Sequence, residues 1–243
     1  MGTAMSARHF ALRPHWLARL IQNRFATSHL PRSQQKILLT FDDGPHPEYT
    51  PQVLDLLKSH NAKAMFFVIG NRVQQNPHLL QQIHDAGHTI GNHTNTHPRF
   101  PFRNGKTARE ELRACQSIIH SVVNVEPKDL RPPFGRITPG LLFAAQHARL
   151  RIWNWSLDSG DWRCRTDSDA AECAEALLNE TRPGDVILLH DANPFISQIL
   201  HLVLPIWGDR GWLSEPARGL ALIPATSHTH PLHELWNHFD FPE

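Results

Sequence analysis

From Lys36 onward the chain repeats one pattern: a short apolar run, a loop, then an amphipathic helical stretch. Apolar runs at residues 37–41, 65–69, 88–91, from 130, 150–157, 186–189 and 220–223 read as strands. Between them, apolar residues recur at helical spacing: Val53, Leu54, Leu56 and Leu57; then Leu79, Leu80 and Ile83; then Leu112, Cys115, Ile119 and Val122. Thr50-Pro51 and Thr138-Pro139 each read as a helix N-cap followed by proline at the first helical position. Further helices are expected over 169–181 and 195–204. Strands without an exposed polar face, separated by helices, imply a parallel sheet covered on both sides. About seven such units predict an α/β fold, a distorted or incomplete (β/α) barrel of about seven parallel strands. An open doubly wound sheet is the alternative.

The 243 residues suffice for one large domain. We expect a basic extension over 1–35, the barrel over 36–226 and a tail over 227–243, with an irregular insertion over 207–219. The first 35 residues hold Arg8, Arg13, Arg19, Arg24 and Arg32 and no acidic residue. Trp16, Leu17, Leu20, Ile21 and Phe25 recur there at helical spacing, so this segment either touches a membrane surface peripherally or covers the barrel. With 24 Lys+Arg against 23 Asp+Glu, bulk charge offers no drive toward nucleic acid. No apolar run is long enough for a membrane helix, and Arg13, Arg19 and Arg24 interrupt any secretory signal. The expected location is cytoplasmic or membrane-peripheral. Cys115, Cys164 and Cys173 show no C-x-x-C spacing and no disulfide framework.

Histidine is over-used: 18 of them, against 23 carboxylates. It is the commonest metal ligand and titrates near neutrality. Position matters more than number, because function in such a barrel gathers where strands end. The first strand ends in T-F-D-D-G-P, with Asp42 and Asp43 expected to point opposite ways. The third runs into G-N-H-T-N-T-H-P, and one helical turn would set His93 and His97 on one face. Two histidines and a carboxylate with open positions suit a catalytic divalent ion. The fourth strand ends in R-P-P-F-G-R, the fifth in W-S-L-D-S-G-D-W and the sixth in V-I-L-L-H-D. Only the second and seventh ends lack such chemistry. Taken singly, each motif has an ordinary explanation as a turn, a cap or a surface charge. His228, His230 and His233 are too loosely spaced for a second metal site.

Taken in order, T-F-D-D-G, H-T-N-T-H, R-P-P-F-G, D-S-G-D-W and L-L-H resemble the five motifs of the polysaccharide deacetylase family, the NodB-homology domain of carbohydrate esterase family 4. The resemblance covers roughly residues 36–204. It implies a metal-dependent hydrolase that removes N-acetyl groups from an N-acetylglucosamine-containing glycan. Asp43, His93 and His97 match the ligands of one divalent ion, zinc first, with cobalt, nickel and iron as alternatives. The ion would polarise the carbonyl and acidify a water. Asp42 matches the general base and Arg131 the residue that holds it ionised. The backbone N–H of Phe134 matches an oxyanion donor. His190 matches the general acid, Asp161 its partner, and Trp162 and Leu188 the wall around the acetyl methyl. Phe134 departs from the family's usual tyrosine, which removes one hydroxyl contact to substrate.

Three other readings compete. A deformylase or deacetylase of a lipid-linked or small amino sugar would use the same residues. A catalytically inactive carbohydrate-binding barrel would have lost one of them, and none is missing. A glycosidase could use Asp42 and Asp161, but needs no His pair. Nothing in the sequence fixes the oligomeric state.

Overall fold

The computed structural model describes residues 10–11, 25–31, 33, 35–100 and 105–213. Most of the expected N-terminal helix, the strand at 220–223 and His228, His230 and His233 lie outside these residues.

The described chain forms a seven-stranded parallel sheet, β1 (Leu38–Asp42), β2 (Ala64–Val68), β3 (Thr89–Asn92), β4 (Asp129–Leu130), β5 (Arg151–Ile152), β6 (Leu157–Asp158) and β7 (Val186–His190). Their order is β5-β4-β3-β2-β1-β7-β6. The single strand expected over 150–157 is in fact two, β5 and β6, on opposite edges of the sheet. Polar residues between them break the run. Asn154 pairs its N–H with the Thr27 carbonyl at 2.9 Å, and the Ser156 hydroxyl donates to Asp185 at 2.7 Å. The connection from Ile152 to Leu157 is five residue steps of about 3.4 Å, so the two edges lie within about 17 Å and the sheet must curl. That gives a distorted, incomplete barrel. Thr27 bridges to Trp153 and His29 to Asp185, so the segment before β1 lies against the gap between the edges.

Strand alternation divides the side chains. Leu39, Phe41, Phe66, Val68, Ile187 and Leu189 join the large apolar cluster under the helices. Leu38, Met65, Phe67 and Val186 face the barrel interior with Leu30 and Trp153. Period two then places Asp42 and His190 on the inner side at the C-terminal rim, where they are register partners.

Among the described residues seven helices cover the outside: α1 (Tyr49–Ser59), α2 (Gly70–Gln75), α3 (Pro77–Asp85), α4 (Gly105–Val123), α5 (Pro139–His147), α6 (Asp167–Glu180) and α7 (Ile196–Asp209). The expected faces are buried, including Val53, Leu54 and Leu57 on α1 and Leu112, Cys115 and Ile119 on α4. Thr138 caps α5 by accepting the Leu141 N–H. Thr50 does not cap α1. It lies inside the helix, and its buried hydroxyl donates to Asp191 at 2.5 Å. The irregular insertion expected over 207–219 starts as helix instead: α7 runs through Asp209 and buries Trp207 completely, and residues 214–219 lie outside the described residues. The three cysteines are buried and free. Among the described residues no helix is long and apolar enough to cross a membrane.

Candidate active site

Asp43, His93 and His97 meet at the rim. The Nε2 atoms of both histidines lie 3.4 Å from Asp43 Oδ1. The geometry is not the expected helical turn. Residues 93–97 form a loop, with Thr94 at φ 68° and His97 at φ 55°, both left-handed. Asp42 and Asp43 do not diverge either. Asp43 takes φ 71°, which returns its carboxylate toward His93, and Asp42 Oδ2 is 3.8 Å from the same His93 Nε2. Left-handed non-glycine residues such as these three are costly, on the order of 1–3 kcal/mol each, and persist only where surrounding bonds hold them.

The three residues fit a divalent ion. Ligand bonds of about 2.0–2.1 Å at tetrahedral angles separate neighbouring donor atoms by about 3.3 Å, close to the spacing seen. Asp43 Oδ1 is buried and has no hydrogen-bond partner. His93 Nδ1 lies 2.7 Å from the Arg131 carbonyl, which can only accept, so Nδ1 carries the proton and Nε2 is left as the donor atom. Burial alone would raise Asp43, but contact with His93, and the charges of His190 and His97, hold it well below the usual carboxylate range.

Beside this corner stands an ion pair. Arg131 is fully buried; its guanidinium donates to Asp42 at 2.8 Å, Thr40 at 2.7 Å and the Asn154 carbonyl at 2.9 Å. The guanidinium lies 4.3 Å from the centre of the Phe67 ring. Asp42 thus has one oxygen fixed by Arg131 and the other turned toward His93.

Across the rim, His190 Nδ1 lies 2.8 Å from Asp161 Oδ1. Asp161 is fully buried and also accepts the N–H of His190 at 2.9 Å, the Ser159 hydroxyl at 3.0 Å and the Trp162 N–H at 2.9 Å. Burial opposes the imidazolium, but Asp161, with Asp42 and Asp43, outweighs it and pushes the His190 pKa up to about 10.

The outer rim is aromatic. Phe134 is left-handed at φ 59°, half exposed, with its ring edge-on to His97 at 4.6 Å and under the Arg99 guanidinium at 4.7 Å. Trp162 is equally exposed on the far side, and Leu188 is buried on β7 two residues before His190. All ten residues singled out in the sequence therefore gather at one rim.

The polysaccharide deacetylase model matches residues 29–153, about half of the chain. The chain belongs to the polysaccharide deacetylase family. Its similarity to individual members agrees. It is 37% identical over 160 residues to a peptidoglycan-N-acetylglucosamine deacetylase of Bacillus cereus, covering 66% of this chain and 57% of that protein. It is 38% identical over 159 residues to a chitooligosaccharide deacetylase of Sinorhizobium fredii, covering 65% and 73%. The crystal structure of a peptidoglycan N-acetylglucosamine deacetylase superposes with a TM-score of 0.74 at 32% identity, covering 82% of this chain and 94% of that one.

Within this family member, two site residues escaped the sequence reading. The second strand end is not empty: Arg72, in the first turn of α2, donates to the Asp43 carbonyl at 2.6 Å. Its position just after a strand was the available signal. Asp191 follows His190 in L-L-H-D, yet its fully buried carboxylate turns away to accept Thr50 and to pack on Gly44. A Cβ at Gly44 would lie 2.2 Å from Asp191 Oδ2, so any side chain there would have to displace the buried Asp191 carboxylate. Burial pushes the Asp191 pKa up to about 7.

Proposed function

We propose that this protein is a metal-dependent hydrolase that removes N-acetyl groups from amino sugars of an N-acetylglucosamine-containing glycan. The observation that carries the reading is the unpartnered Asp43 Oδ1 between two histidine nitrogens, with a buried carboxylate–arginine pair on one side and a carboxylate–histidine pair on the other. A divalent ion held by Asp43, His93 and His97 supplies polarisation of the amide carbonyl and a more acidic water. Zinc suits the donor set, and cobalt, nickel and iron are accepted by similar ones.

The residues of the chain do the remaining work. Asp42 takes the proton of the attacking water, and Arg131 pairs with it and aims it. The Phe134 N–H donates to the oxygen on which charge develops, and its left-handed backbone fixes that direction. His190 gives its proton to the departing nitrogen, because an amine leaves poorly as an anion. Asp161 keeps that proton available at neutral pH. Trp162 and Leu188 wall the acetyl methyl.

The test is acetate release from chitooligosaccharides and from peptidoglycan fragments. Chelator-treated protein should lose the activity, and added zinc or cobalt should restore it. Absence of metal-dependent deacylation on every acylated amino sugar tried would sink the reading.

A further inference from the structure

The loop that joins the two histidines is held from outside the barrel. Glu111 lies on α4, one to two turns from its start, and no catalytic step uses it. Its Oε2 accepts the N–H groups of Asn95 at 2.9 Å and Thr96 at 2.8 Å. Its Oε1 accepts the Thr96 hydroxyl at 2.8 Å. The rest of the loop is tied as closely. Asn92 accepts the Thr94 N–H at 2.7 Å through one side-chain atom and donates to the Leu112 carbonyl at 2.9 Å through the other. The His97 N–H goes to the Thr94 hydroxyl at 3.1 Å. The carbonyls of Thr94 and Asn95 accept the Gly70 and Asn71 N–H groups, each at 3.0 Å.

This bonding surrounds a segment that would not choose its shape unaided. Thr94 and His97 are both left-handed, and threonine is among the residues that tolerate this least. In that shape His97 Nε2 comes as close to Asp43 Oδ1 as His93 Nε2 does, 3.4 Å each. Asn92 fixes the start of the loop and Glu111 its middle. Without Glu111, two N–H groups and a hydroxyl midway between the ligands lose their acceptor.

We infer that Glu111 is a positioning residue that sets the spacing of His93 and His97, and through it the affinity of the site for a divalent ion. The inference rests on the metal-site reading above. Its mechanism is geometric rather than electrostatic, and that makes it specific. Glutamine can replace every bond: its Oε1 accepts both N–H groups, and its Nε2 donates to a Thr96 hydroxyl that has turned round. Aspartate keeps the charge but is one methylene too short to reach the loop.

The experiment measures zinc affinity by competition with a chromophoric chelator, together with the melting temperature of the metal-free chain. Partners behind metal ligands typically contribute about 10–100-fold in affinity. Glu111→Gln should bind zinc within about threefold of wild type, and Glu111→Asp at least about tenfold more weakly. Both metal-free variants should melt close to wild type, which a merely structural role would not allow. Wild-type affinity in Glu111→Asp, or equal loss in both variants, overturns the inference. A wild-type chain that takes up no zinc sinks the metal-site reading and this inference together. A second measurement needs no variant: hydrogen exchange at the Asn95 and Thr96 amides of the metal-free protein. Slow exchange supports the clamp, and exchange at the rate of an open loop refutes it.

Discussion

The two halves of the rim are built to different degrees of completion. In the proton-donor half, Asp161 accepts from four donors, two of them the N–H and the ring Nδ1 of His190, so the carboxylate is satisfied by protein atoms alone. In the metal half, every N–H from His93 to His97 has an acceptor while Asp43 Oδ1 is buried with no hydrogen-bond partner. One half is closed by its own hydrogen bonds; the other holds a buried carboxylate oxygen without a hydrogen-bond partner beside two histidine nitrogens. The difference predicts that the halves will respond separately to mutation.

Asp161→Asn gives the largest expected effect. The amide cannot match the carboxylate: if its oxygen serves the His190 ring, its NH2 faces the His190 N–H, donor against donor. Loss of the charge removes what raises the His190 pKa, so that value falls from about 10 toward 6.5. A raised folded pKa means that His190 stays charged through neutral pH and loses its proton only as pH approaches 10. In the variant, the basic limb of kcat/KM should therefore move to lower pH, and the rate at neutrality should fall about 10²–10⁴-fold. Zinc affinity should not fall, because Asp43, His93 and His97 keep their hydrogen-bond partners and lose only a nearby positive charge. If it drops tenfold, the halves are coupled and the comparison fails.

The legibility of the molecule in its sequence divides along the same line. The rim positions of His190 and Asp161 follow from their places at strand ends, marked by L-L-H and D-S-G-D-W, but their pairing spans 29 residues and only the family resemblance pointed to it. The shape of the metal half was not visible. Nothing in H-T-N-T-H says that Thr94 and His97 are left-handed, because local propensity opposes it and bonds from α2 and α4 impose it. Helical spacing brought the right two histidines together for the wrong reason. The split of residues 150–157 was hidden similarly. Trp153 belongs to the barrel interior and Ser156 to Asp185 on β7's approach, and both are contacts far apart in sequence.

Asp191 lies on the seam. It follows His190 in the chain, but its carboxylate packs against Gly44, next to Asp43. Its pKa is raised from 3.8 to about 7 by burial. The folded chain therefore holds this proton more tightly than the unfolded one. The associated stability is complete below about pH 4 and is lost as pH rises toward 7. Asp191→Asn has no proton to lose and keeps an acceptor for Thr50. Its melting temperature should exceed that of wild type by several degrees at pH 8, with a ceiling on the order of 4 kcal/mol. The gap should shrink steadily as pH falls to 4. A pH-independent gap would mean that the carboxylate is not protonated in the fold and that the seam carries charge.

Phe134→Tyr gives the smallest expected effect and sharpens the metal half at its outer edge. The ring leans on His97 and under Arg99, and half of it faces solvent, so a hydroxyl fits without repacking. The backbone angle is unchanged by the substitution, and the proposed oxyanion contact uses only the backbone N–H. A new hydroxyl at the rim can reach bound sugar but not the reacting carbonyl. An exposed hydrogen bond is worth about 0.5–1 kcal/mol, so KM should fall two- to fivefold with kcat unchanged. Zinc affinity should also be unchanged, since the added atom lies beyond His97 rather than behind it. A tenfold change in kcat would show that the ring, not the amide, meets the transition state, and would move Phe134 from the wall of the site into its chemistry.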